Sequence, residues 1–259
     1  NLPTGDRDPF ALRRHALGVI RMLVEKDLPL ELDALIGIGI YEHGQTIRSV
    51  IRSAPALVNQ PHQANVRGVG DATVMVKQVD IPIFFDDQNA SLVTGFIYER
   101  LAGSLREQGY SAQEVDAVLA LRPQRLGDVP QRLAAVRAFA ALPEAPALAA
   151  ANKRIGNILK KADGTVDPHV SEVLLQEPAE KALYASMQVT LPQAQSQFDA
   201  GDYTASLQTL AALRVPVDAY FDGVMVNAEA LDVRLNRLGT LKSLHDAMNR
   251  VADLARIAG

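Results

Sequence analysis

Few residues in this chain of 259 have the types and spacings that bond-making chemistry requires. Arg67-Gly-Val-Gly70 carries the first two glycines of a dinucleotide-binding turn, but Thr73 stands where the third would fall and no βαβ pattern follows. A glycine turn entering an extended segment is the better reading. Asp163, Thr165 and Asp167 imitate the start of a calcium loop, yet Pro168 and Leu174 occupy the positions that need a turn glycine and a bidentate glutamate. His15, His43, His62, His169 and His245 lack partners at metal-ligand spacing and read as solvated or structural. Asp86-Asp87 reads as a turn and helix cap rather than a metal pair. Without cysteine there is no disulfide framework, thiolate zinc site or thiol nucleophile, and no Gly-x-Ser-x-Gly turn presents a serine. The expectation is a chain with no catalytic residues, no metal site and no bound cofactor of its own.

What the residues do offer is local positive charge. The net charge is −4, but the average hides segments of opposite sign. From Asp163 to Asp232 only Lys181 and Arg214 oppose a long series of acids, whereas beyond it Arg234, Arg237, Lys242, Arg250 and Arg256 face only Asp246 and Asp253. Lys153, Arg154, Lys160 and Lys161 form a second basic island. Screening confines the field of such clusters to about 8 Å at physiological salt, so they, and not the net charge, decide whether phosphates are held.

These side chains have to be positioned by helices. Asp8-Pro9 is a helix start, and the apolar spacing predicts a helix over 9–26, ended by Leu28-Pro29. Gly37, Gly39 and Gly44 leave 32–63 ambiguous between a turn-rich helix and loop. The β-branched residues of 72–79 and 80–85, with Pro82 among them, predict extended or poorly ordered chain compatible with a small hairpin. Helices are expected at 91–108, after a Ser111/Glu114 capping box, and from a cap at Asp128 to Leu142. Two prolines in Leu142–Pro146 mark a boundary between two compact bodies, the second entirely helical, with helices over 146–162, 178–200, 203–213, 216–224 and 229–257. In the last of these, Leu231, Leu235, Leu238, Leu241 and Leu244 or Met248 form an apolar stripe, leaving Arg234, Arg237 and Lys242 on flanking faces. No apolar run reaches the roughly 20 residues of a membrane span. The chain opens at Asn1 without an initiator methionine or signal peptide, and is expected to be a piece of a longer cytoplasmic protein.

The closing run from Phe221, with its V-M-V, R-L-N-R-L and R-V-A-D elements, resembles the carboxy-terminal end of the bacterial glycyl-tRNA synthetase beta subunit family. P-T-G-D-R-D-P-F-A-L-R-R-H at the start, then G-Y-S-A-Q-E-V-D-A-V-L-A-L-R-P and A-N-K-R-I-G-N-I-L-K-K-A, are similar to the same family in the same order. The resemblance implies an all-α chain. Residues 1–145 would be the end of an HD-type helical region with an insertion at about 36–85, and 146–259 a DALR-like anticodon-binding bundle. It further implies a tRNA-binding, anticodon-recognising part of a heterotetrameric glycine–tRNA ligase. A separate alpha subunit would use ATP and magnesium to charge tRNA(Gly), and neither DNA nor membrane would be a partner. By motif, Arg234, Asn236 and Arg237 match R-x-N-R and Asn152, Lys153 and Arg154 match A-N-K-R; with Lys242 and Arg250 they are the expected tRNA contacts. An Asn and an Arg beside buried leucines can equally brace the bundle through loop carbonyls. Two readings compete with RNA binding. A helical scaffold could hold the alpha subunit without touching RNA, and an HD-type phosphohydrolase is a third, disfavoured reading.

Overall fold

The computed structural model describes residue 8 and residues 11–53 and 87–257. Ten α-helices occur among them: α1 (Leu12–Glu25), α2 (Leu32–Ser53), α3 (Asp87–Glu107), α4 (Ala112–Leu119), α5 (Val129–Ala140), α6 (Ala145–Lys160), α7 (Pro178–Asp199), α8 (Tyr203–Ala211), α9 (Arg214–Gly223) and α10 (Leu231–Met248). Short 3-10 turns lie at Leu126–Asp128, Glu172–Leu174 and Leu254–Arg256. The described residues contain no strand, only an isolated bridge between Glu31 and Arg125. The all-α expectation holds. The hairpin expected within 72–85 lies outside the described residues.

Several helix ends follow directly from residue chemistry. The Asp8 carboxylate accepts from the Leu12 and Arg13 backbone N–H groups at 2.8 and 3.1 Å, but the helix begins at Leu12, with Ala11 at φ 51° in the N-cap position, rather than at Pro9 as expected. The Ser111/Glu114 box forms in both directions, at 3.2 and 2.7 Å. Gly201, at φ 80°, closes α7 with an N–H to the Phe198 carbonyl, and Asp202 then caps α8 through Ala205 N–H at 2.9 Å. The turn between α7 and α8 is therefore built around two residues of complementary chemistry.

Three further sequence expectations change. α2 runs unbroken through Gly37, Gly39 and Gly44 because its first turn is clamped by tertiary partners: Leu32 N–H donates to the Gln124 carbonyl, and the Asp33 carboxylate accepts from Gln124 and Thr94 side chains at 2.8 and 3.0 Å. Anchoring at one end outweighs the propensity cost of glycine, about 1 kcal/mol each. Asp128 makes no side-chain cap; it ends a 3-10 turn and pairs with Arg125 at 3.4 Å. The last helix stops at Met248 rather than Ile257, because Asn249 turns back on it, its amide donating to the His245 carbonyl at 2.7 Å.

α1 and α2 pack on α3, α4 joins α3 to α5, and α5 lies on α8. α7 then packs against α8 and α9, and α10 fills the space between α6 and α7. The Leu142–Pro146 segment is a tight turn between α5 and α6, and buried side chains on both sides of it, from Phe139 to Leu148 and Ile155, belong to one contiguous cluster. No single helix among the described residues is long and apolar enough to cross a membrane.

Candidate nucleic-acid interface

The expected contacts on α10 divide by depth. Arg237 is 5% exposed and closes a bidentate pair with Glu180, Nε to Oε1 at 2.7 Å and Nη2 to Oε2 at 3.1 Å, while Nη1 donates to the Met225 carbonyl at 2.7 Å. Glu180 is itself 1% exposed and accepts the Gln176 and Glu177 backbone N–H groups at the start of α7. Burial acts to raise the Glu180 pKa, but the Arg237 hydrogen bonds and the two N–H donors outweigh it and hold the carboxyl below its usual range. Asn236 exchanges two bonds with the Ser171 backbone, at 2.7 and 3.1 Å. Asn152, fully buried, makes a reciprocal amide pair with Asn249 at 2.9 Å in each direction. Asn152, Asn236 and Arg237 therefore brace the bundle. Their polar groups are engaged inside it, and none is available to a phosphate.

The apolar stripe also needs correction. Leu238, Leu241, Leu244 and Met248 are buried, but Leu231 and Leu235 are more than half exposed. Val233, Asn236, Arg237 and Thr240 hold the inward positions instead, so three polar residues complete the face that packs. Gly239 sits where the 167–169 backbone crosses α10; a Cβ there would come within 2.5 Å of the His169 carbonyl oxygen. That loop and helix fit only because the position is glycine.

Much of the positive charge at the chain's end is neutralised locally. Lys242 Nζ pairs with Asp246 at 2.5 Å, and Arg256 with Asp253 at 2.9 Å. Arg234 makes one long bond to the Ala228 carbonyl, 3.4 Å, and Arg250 is exposed with no ion pair among the described residues. The basic island on α6 differs. Lys153, Arg154, Lys160 and Lys161 are all exposed, and none forms an ion pair with a described residue. The spacing 153/160 and 154/161 sets two cations on each of two adjacent rows, about 10 Å apart along the helix. Arg154 lies 4.1 Å over the Phe221 ring, which fixes its guanidinium on the surface of α9. Beyond Lys161 the chain enters the 162–171 segment, whose Pro168 and His169 form one wall of a groove of about 480 Å³ between α7 and α10. Nothing in residue spacing points to that groove, because its walls come from three segments far apart in sequence. Glu180 was legible only as an acid three residues into a helix that opens with Glu177-Pro178. No cluster of His, Asp and Glu able to hold a metal occurs among the described residues.

Lys153, Arg154, Lys160 and Lys161, outside ion pairs among the described residues, are thus gathered on two rows along α6 and its end. Residues 148–257 match the family model described as DALR anticodon binding domain, the class of RNA-recognition module to which this half belongs. Residues 1–120 match the model described as glycyl-tRNA synthetase beta subunit, and the chain belongs to that family. Among curated relatives, it is similar to the glycine–tRNA ligase beta subunit of Polaromonas naphthalenivorans strain CJ2, 65% identical over 257 residues, 99% of this chain and 31% of the relative. The subunits of the same name from Acidovorax sp. strain JS42 and Dechloromonas aromatica strain RCB are 63% and 54% identical, over 100% and 99% of this chain and 30% and 31% of theirs. The chain spans about a third of the length of the curated relatives it matches.

Proposed function

We propose that this chain is the tRNA-binding, anticodon-recognising part of the beta subunit of a cytoplasmic, heterotetrameric glycine–tRNA ligase, and that ATP-dependent glycylation is carried out by a separate alpha subunit with its own ATP and magnesium. The observation that carries the reading is the coincidence of the anticodon-binding family match over 148–257 with the unpaired cations of α6. Of the expected contacts, Lys153, Arg154, Arg234 and Arg250 keep that role, with Lys242 available once it leaves Asp246. Lys160 and Lys161 join them. The two sides of residue 145 differ in role, the second half meeting the RNA and the first half joining it to the rest of the subunit.

A salt titration tests this. In the full-length subunit assembled with its alpha partner, Lys153→Gln, Lys160→Gln and Lys161→Gln together should weaken binding of a tRNA(Gly) transcript. The slope of log K against log salt should flatten by about 0.7–0.9 for each phosphate no longer engaged. Wild-type affinity with an unchanged slope in a folded triple variant would remove α6 from the interface. The scaffold reading draws on a different feature, the exposed apolar side chains Ile38 and Tyr41 on α2, which suit a protein neighbour in the first half.

A further inference from the structure

Two grooves of comparable size lie on the described surface, and their linings differ in charge. One, of about 380 Å³ between α1, α3 and α5, carries Glu25 and Glu107 beside Arg21 and would repel a phosphate chain. The other, between α7, α10 and the 168–170 segment, has no carboxylate in its lining. Its one full charge is Arg250, exposed at the rim and without an ion pair among the described residues. On the flanking elements Asp246 holds Lys242, Asp167 accepts the His169 N–H at 2.9 Å and Asp199 accepts the Gln195 amide at 2.6 Å, while Glu172, two residues beyond Val170, is exposed.

The floor and walls combine flat apolar surface with hydrogen-bonding edges. Tyr184 is half-buried on α7, one turn before the exposed Gln188 amide, and Ser243 faces them from α10. Pro192 sits inside α7 one turn further on and, having no N–H, leaves the Gln188 carbonyl without its donor from residue 192. An aromatic face, an amide, a hydroxyl and a cation at the rim are the groups that recognise a base out of its stack. The volume suits one nucleotide-sized ligand. The outer wall, residues 168–170, follows Lys161 in the chain by seven to nine residues.

We propose that this groove receives one unpaired base of the bound RNA loop, stacked on Tyr184 and read along its edge by Gln188 and Ser243, with Arg250 holding the adjoining phosphate. The proposal rests on the tRNA-binding reading above and adds the place where sequence is read. It predicts a separation of roles, with α6 supplying salt-dependent affinity and the groove supplying base dependence that salt scarcely alters.

The test uses the full-length subunit assembled with its alpha partner, a tRNA(Gly) transcript, and a series of transcripts made abasic at one anticodon-loop position at a time. Tyr184→Ala should lower affinity roughly ten-fold, the scale of one lost base stack, while Tyr184→Phe retains it. One abasic transcript should lose a similar factor with the wild-type protein and lose nothing further with Tyr184→Ala. Gln188→Ala, on an exposed side chain that does not threaten folding, should reduce discrimination at that same position with little change in salt slope. Three results would overturn the groove. If Tyr184→Ala and Gln188→Ala both bind every transcript as wild type does while the α6 triple variant binds weakly, the groove falls and the tRNA-binding reading stands alone. Additive losses with every abasic transcript would place Tyr184 away from the bases. Impaired assembly with the alpha subunit at unchanged tRNA affinity would make the groove a peptide site. If the wild-type assembly fails to bind the transcript at all, the underlying reading falls first.

Discussion

At the scale of single residues, the Glu180–Arg237 pair does more structural work than its sequence suggests. Both groups are almost completely buried and every strong donor of Arg237 is engaged, joining the first turn of α7, the 225 carbonyl and the middle of α10. Removing one member leaves the other charge in a low-dielectric site. Arg237→Ala should therefore destabilise the protein by about 3–5 kcal/mol, measured as a fall in the urea midpoint, whereas replacing both residues by methionine should cost much less. A surface change such as Lys153→Gln should leave the stability within about 0.5 kcal/mol of wild type. If Arg237→Ala melts with wild type and instead binds tRNA poorly, the side chain has a route to the RNA that its burial denies. The same comparison separates residues matched by motif from residues that can touch a ligand: within R-L-N-R, the first arginine is accessible and the asparagine and second arginine are not.

At the scale of elements, α4 illustrates how a cap can carry a pH dependence. Glu114 bonds back to the Ser111 N–H and also takes two hydrogen bonds from Arg137 of α5, at 2.7 and 3.0 Å. The Arg137 hydrogen bonds are the main cause of a carboxyl pKa held down at about 2, from an ordinary 4.5. Because the folded value lies below the unfolded one, this contribution to stability is complete above pH 4.5 and is lost as pH falls toward about 2. Thermal melts across that window should show a steeper acid loss for wild type than for Glu114→Gln. The variant retains a side chain able to complete the cap but not the charge, and Arg137 is largely solvated, so the cost at neutral pH should be about 1 kcal/mol or less. Parallel acid profiles for the two proteins would assign the acid sensitivity to other carboxylates.

At the scale of the whole molecule, the carboxy-terminal turn ties the two halves together. Arg132 on α5 donates to the Arg250 and Val251 carbonyls at 2.8 and 3.0 Å while lying over the Phe198 and Tyr203 rings, and Asp253 N–H donates to the Ala117 carbonyl of α4 at 2.9 Å. Arg132→Ala should release this turn, raising amide exchange at 249–254 well before global unfolding and moving Arg250 from the groove rim. Unchanged protection there would mean that burial of Val251, Ala252 and Leu254 suffices. By itself, the sequence determined the all-α class, the positions of most helices, the Asp202 cap, the Ser111/Glu114 box and the basic island on α6, because periodicity, capping and charge are read within a few residues of one another. The inward face of α10 was legible only as one of two alternatives for Asn236 and Arg237, bracing or RNA contact, because they count as polar until Ser171 and Glu180, far away in sequence, satisfy them. For the same reason α2 held through its glycines, since the bonds from Gln124 and Thr94 lie beyond any local window. Tertiary structure alone decided which cations remain free and where a groove without acids opens, because both depend on what each charge meets across the fold.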